Sequence, residues 1–260
     1  MSRFENPEFA SSLPAGETYD VSAMQDFLKS LEENPERLET FRKIQEGRAR
    51  DVVDRGELDH WVEQDQRLLY FGMGAGYVAQ YLEQRTKANV FKLDIADLRT
   101  PDNKDRKFFI ATARRLPVNP ESCDVAMLSD VLHHCREQGE ILNEATRILR
   151  EDGKLILIED TLPEAEEHLK RRAMEALTAK MDDLLNRQPK GVNPHGYRSK
   201  QEWITLAKKF DLDLEDEKHW YWGPVDFLPE KLKPSGGEEW SFGRPFECTR
   251  FVFSKHQNES

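Results

Sequence analysis

Three glycines at alternate positions, Gly72, Gly74 and Gly76, separate an apolar run from an amphipathic one. The apolar run, Leu68-Leu69-Tyr70-Phe71, has the length and composition of a buried strand. From Tyr77 to Gln84 the pattern takes on a helical period. Glycine is needed where backbone adopts positive φ, turns tightly, or approaches a ligand with no Cβ in the way. The helix beyond offers unpaired N–H groups and the positive end of its dipole at its first turn. Strand, glycine turn and helix in that order point to a βαβ unit with a nucleotide-like ligand over the turn.

The chain around this turn supports that reading. Strand candidates at 68–71, 90–94, 108–111, 124–128 and 154–159 alternate with helical patterns at 77–84, near Ala96 and at 137–150. Such alternation implies a parallel sheet with right-handed crossovers. Two further strands are expected at 219–222 and 250–254. The predicted fold is α/β, a doubly wound, Rossmann-like domain over 67–260. Residues 1–66 read as a helical arm that either packs on the domain or covers a cleft as a lid. Within the arm, Ser22-Ala23-Met24-Gln25 has capping-box spacing and Asn34-Pro35 reads as a cap with proline following. Leu38, Phe41 and Ile44 mark an apolar stripe, and Gly56 separates it from a short helix at 58–62. Cap helices are expected over about 163–210. They comprise a long helix with Leu169, Ala173 and Leu177 on its apolar side and a second opened by a Ser199–Glu202 box. An insert follows at about 223–247.

Composition narrows the partners. A formal net charge of −11 argues against a nucleic-acid substrate, since such binding rests on neutralising phosphates with Lys and Arg. Three dispersed cysteines, Cys123, Cys135 and Cys248, give neither a disulfide framework nor a zinc site. No metal is implied. With no apolar segment long enough to span a bilayer and no leader pattern, a cytoplasmic protein without membrane contact is expected. The arm's apolar stripe suits a homodimer as well as docking on its own domain.

At the end of the second strand, Asp94 has the spacing from Gly72 at which an acid can accept both ribose hydroxyls of a nucleoside. Three further motifs follow in order. They are Ala113-Arg114-Arg115-Leu116-Pro117-Val118, then Asp124-Val125-Ala126-Met127-Leu128 leading to Leu132-His133-His134, then Leu149-Arg150-Glu151-Asp152-Gly153-Lys154-Leu155. Together they resemble the class I S-adenosylmethionine-dependent methyltransferases, in particular their small-molecule branch. That resemblance implies a mostly parallel seven-stranded sheet whose last strand is antiparallel, and S-adenosylmethionine as cofactor. It implies Gly72, Gly74 and Gly76 around the methionine part, Asp94 on the ribose, and Thr112 and Ala113 at the adenine edge. Ser129 through His133 would form the floor near the sulfonium. Tyr70 stands in this cofactor-binding set where the family normally has an acid, and Thr112 where it often has Asp.

Methyl transfer is an in-line displacement with a neutral leaving group, so alignment and exclusion of water matter most. An oxygen or nitrogen acceptor must also be free of its proton, and histidine titrates in the useful range. His133 and His134 are therefore the candidate catalytic residues. His195, Tyr197, Arg198 and Trp222 are the candidate lining of the acceptor pocket, while Glu159 and Asp160 read as solvated strand-end acids. The expected activity is methylation of an O or N atom of a small organic metabolite. A non-catalytic subunit of the same fold is the alternative, since Tyr70 and Thr112 remove polar contacts to the cofactor. A dinucleotide-dependent oxidoreductase ranks third, because it leaves the Leu116-Pro117 loop and the His-His pair unexplained.

Overall fold

The computed structural model describes residues 21–104, 107–185, 196–222 and 246–255. Helices α1 (Val21–Glu32) and α2 (Pro35–Arg50) come first. Asn34 caps α2 by accepting the Arg37 N–H at 3.1 Å, with Pro35 in the first turn where a missing N–H costs nothing. The box expected at Ser22 does not form, because α1 already begins at Val21 and holds Ser22 within the helix. After α2 the chain makes a wide π-type turn, Asp51–Arg55, and a 3-10 turn, Leu58–His60.

The sheet follows. Strands β1 (Arg67–Phe71), β2 (Asn89–Asp94), β3 (Phe108–Ile110), β4 (Cys123–Ser129) and β5 (Leu149–Leu162) are parallel neighbours in the order β3-β2-β1-β4-β5. Helices α3 (Tyr77–Thr86) and α4 (Gln138–Ile148) make two of the crossovers. No helix forms near Ala96; the chain there bends and then makes a 3-10 turn at Pro101–Asn103. Beyond β5 lie α5 (His168–Leu185), the two-residue β6 (Arg198–Ser199) and α6 (Lys200–Lys208), then β7 (Leu212–Trp222) and β8 (Phe246–Lys255). β8 inserts between β5 and β7 and runs antiparallel to both, so seven strands form the main path with β6 paired to β5 beside it. The Ser199 box at the start of α6 is complete: Glu202 N–H donates to Ser199 Oγ, and the Glu202 carboxylate accepts from Ser199 N–H. Leu169, expected on the apolar side of α5, is exposed.

Alternation along β1 sets the two layers. Leu69 and Phe71 join a core with Ile141, Leu142, Ala145, Trp203 and Ala207 of α4 and α6. Leu68 and Tyr70 face the opposite core, where Val52, Val53, Leu58, Val78 and Leu82 cover the sheet. Val53 and Leu58 are fully buried, which stabilises by roughly 1.5–3 kcal/mol for each such side chain. Ile44, expected on the same apolar stripe, points outward. Arg250 of β8, buried in this second layer, donates from Nη1 to Gly56 O at 2.9 Å and pairs with Asp216. It ties the terminal hairpin to the turn after α2. Among the described residues no helix is long and apolar enough to cross a membrane.

Candidate active site

Strand order reverses direction between β1 and β4, which leaves a crevice outside their carboxyl ends. All three glycines meet there with positive φ: 62° at Gly72, 54° at Gly74 and 94° at Gly76, the last capping α3. A Cβ on Gly72 would come within 2.4 Å of Val131 Cγ2, whereas one on Gly74 would meet nothing within 4 Å. The turn is thus packed against the end of β4 at its first glycine and open at its second. Asn103 holds its outer side by donating from Nδ2 to Ala75 O at 3.2 Å.

Asp94 closes the other side. Its Oδ2 accepts the Gly74 N–H at 2.8 Å and its Oδ1 the Ile95 N–H at 2.7 Å. Burial pushes its carboxyl up to about 6 from an ordinary 3.8, against these backbone bonds, which favour the ionised form. The folded chain therefore holds this proton more tightly than the unfolded one. Its stability falls as pH rises from about 4 to about 6, while any binding that needs the carboxylate grows over the same range. Thr112 and Ala113 follow directly, brought beside the end of β2 by the bond from Ala111 N to Asp94 O at 3.0 Å. The Leu116-Pro117 loop is fixed by Glu144, which accepts the Leu116 N–H at 2.6 Å while pairing with Arg147.

The third wall is the turn after β4. Ser129 is buried, and its Oγ donates to Asp130 Oδ2 at 3.1 Å. Asp130 has a left-handed φ of 54° and also takes Arg48 Nη2 at 2.6 Å, which draws α2 onto the site. Tyr70 lies buried alongside, and burial moves its phenol well above the usual range. The 3-10 turn Leu132–His134 closes over Glu159. Glu159 is not the solvated acid expected of it. It is fully buried, accepts the N–H groups of Val131 and Leu132 at 3.0 and 2.7 Å, and meets His133 Nδ1 at 2.5 Å.

The histidines differ in setting. His133 is 2% exposed and stacks on Tyr197 with ring centroids 4.5 Å apart. His134 is half-buried, with its ring 4.0 Å from that of His133. Tyr197 is correspondingly buried, and Arg198 donates from Nε to Gln138 Oε1 at 2.8 Å. Gln138 Nε2 in turn donates to the carbonyls of Leu132 and Gly196, so the segment entering β6 is sewn to the turn after β4. His195 and the side chain of Trp222 lie outside the described residues. Trp220, two residues before, belongs to the core.

The sequence does not point to Arg48 or Gln138 as site residues, includes Asp130 only within the floor segment 129–133, and offers Glu159 only as a solvated acid. Only Arg48 had a usable signal: it lies seven residues after Phe41, on the same helical face. A hollow of about 390 Å³ lies over the start of α4, between Arg136, Gln138, Arg198 and Phe210, so it takes in one residue of the expected acceptor lining, Arg198. It opens broadly to solvent, and no glycine-turn residue lines it.

Comparison with known proteins bears on the domain and its fold. Residues 69–157 match the family model described as a methyltransferase domain. An uncharacterized methyltransferase of Bacillus subtilis, YcgJ, is 22% identical over 166 residues. The match takes in 60% of this chain and only 60% of that relative's length. A candidate methyltransferase from Bacillus halodurans superposes with a TM-score of 0.58 at 15% identity, covering 80% of this chain and 99% of its own. A candidate sarcosine/dimethylglycine methyltransferase from Galdieria sulphuraria gives 0.54 at 14% identity, with 81% and 85% covered. At these identities the structures speak for the fold alone.

Proposed function

We propose that the protein, whose residues 69–157 match the family model described as a methyltransferase domain, transfers a methyl group from S-adenosylmethionine to a nitrogen or oxygen of a small organic metabolite. The observation that carries the proposal is the meeting of Asp94 and the glycine turn. A buried carboxylate and a positive-φ amide are 2.8 Å apart at the strand-order reversal, with open space over Gly74. When bound there, S-adenosylmethionine supplies a sulfonium methyl whose leaving group is a neutral thioether.

The residues of this chain then have three tasks. Asp94 binds the ribose hydroxyls as the ionised form. Thr112 and Ala113 border the adenine, where a neutral hydroxyl stands in for a carboxylate at the cost of about 1–3 kcal/mol of affinity. The turn held by Glu159 sets the floor below the reacting methyl. Of the two imidazoles, His133 is locked by Glu159 and Tyr197. We assign the holding of the acceptor's proton to His134, the more exposed of the two. A small acceptor is favoured over nucleic acid by the net charge of −11 and by the carboxylates of Asp94, Asp130 and Glu159 around the crevice.

Incubation with methyl-labelled cofactor and separate pools of small metabolites, RNA and protein tests this. Label is expected in the small-metabolite fraction and to be lost with Asp94→Ala. Label in RNA or protein, or cofactor binding with no transfer to any pool, would contradict it.

A further inference from the structure

We propose that Glu159 and His133 are positioning residues that keep His134 neutral, by setting a buried imidazolium against its ring. The proposal rests on the reading of His134 as the holder of the acceptor's proton, a task for the neutral ring alone.

Glu159 is wholly buried, and among the described residues no lysine or arginine reaches it. Three donors converge on it. The N–H groups of Val131 and Leu132 meet Oε1 at 3.0 and 2.7 Å, and His133 Nδ1 meets Oε2 at 2.5 Å. Donors on both oxygens suit a carboxylate, which accepts and does not donate. A carboxylate buried this deeply needs a cation beside it, and His133 is the group in contact that can become one. The ring of Tyr197 lies nearly parallel to that of His133, with 16° between planes and 4.5 Å between centroids. An aromatic face of this kind favours a cation.

The ring of His134 is 4.0 Å from that of His133, tilted by 46°. A positive charge so close, in a pair shielded from water, disfavours a second proton on His134. Glu159 touches only the first of the two rings, so the positive member of the pair is the nearer one. The other elements here carry Arg198 of β6, bonded to Gln138 of α4, and Asp130 at the end of β4, paired with Arg48 of α2. Arg136 and Glu137 are exposed before α4 and opposite in sign, and Asp160 alternates to the other face of β5. Of these, Arg198 acts in the same direction as His133, and the Asp130–Arg48 pair carries its own counter-charge.

Ring-nitrogen NMR of the full chain with labelled histidines reads both charges without any acceptor. Among the seven histidines, His134 is identified by loss of its signal in His134→Gln, and His133 by its contact with that ring. Near pH 8, His133 is expected with a proton on each ring nitrogen in the unaltered chain and on one alone in Glu159→Gln. In that variant the His134 titration is expected to move up by about one pH unit. A Glu159 that merely held the turn would leave His133 singly protonated in both proteins. A singly protonated His133 in the unaltered chain, or a His134 titration that stays or moves down in Glu159→Gln, would overturn the proposal. If Glu159→Gln fails to fold, the spectrum of the unaltered chain near pH 8 decides alone. Absence of methyl transfer would overturn the role given to His134 and not the charge arrangement, so the two failures are told apart.

Discussion

Replacing Glu159 by alanine is expected to cost about 3–5 kcal/mol of stability, the largest loss from any single polar side chain at this site. The carboxylate is wholly buried, and His133, its partner at 2.5 Å, is 2% exposed. Alanine would strand the imidazole and also the N–H groups of Val131 and Leu132, which have this carboxylate as acceptor. Glutamine keeps an oxygen for both backbone donors and can offer its amide to Nδ1 if His133 carries its proton on Nε2. Glu159→Gln should therefore recover more than half of the loss. Urea unfolding of both variants, with the denaturant dependence compared as well as the midpoint, checks this. A loss under about 1 kcal/mol for Glu159→Ala would show that the turn after β4 does not depend on this acid.

Gly72→Ala should come next, at about 2–4 kcal/mol, and it should differ in kind from Gly74→Ala. Both positions have positive φ, which costs a side chain about 1–2 kcal/mol. At Gly72 the new methyl would also press to 2.4 Å from Val131 Cγ2, so β1 and the turn after β4 must part. At Gly74 it meets nothing within 4 Å, so the stability loss should stop at the backbone strain. The order reverses for ligand. Gly74→Ala fills the open space beside Asp94 and should weaken S-adenosylhomocysteine about 10-fold or more while the protein stays folded. Thermal unfolding and calorimetric titration of the two variants decide it. Equal stability losses would contradict the packing of Gly72 on Val131.

These residues mark the boundary of what the chain discloses before it is folded. The strand at Leu68-Leu69-Tyr70-Phe71, the glycine turn and the position of Asp94 beside it are legible because each signal is local: an apolar run, a conformational demand, an acid at a fixed distance. The caps at Asn34 and Ser199 are legible for the same reason, since side chain and target lie three residues apart. Glu159 is misread because acids at strand ends are ordinarily solvated, and its burial depends on a turn 26 residues earlier curling over it. Arg48 and Asp130 are invisible as a pair, because nothing in either segment specifies the other across 82 positions. Ser22 fails for a simpler reason: its spacing fits a cap, but helix-forming neighbours carry α1 through it.

The most direct test of the central claim is calorimetric titration of S-adenosylhomocysteine into the unaltered protein and Asp94→Asn, near pH 8 and near pH 5. These conditions bracket the carboxyl's value of about 6. Asparagine can still accept the Gly74 N–H, so the turn should survive while the charge proposed to accept the ribose hydroxyls is lost. The account predicts binding by the unaltered chain that weakens about 10-fold from the higher to the lower pH, and weak, pH-insensitive binding by Asp94→Asn. Equal affinity in the two proteins, or no binding by the unaltered chain at either pH, would contradict the assignment of this crevice to the cofactor.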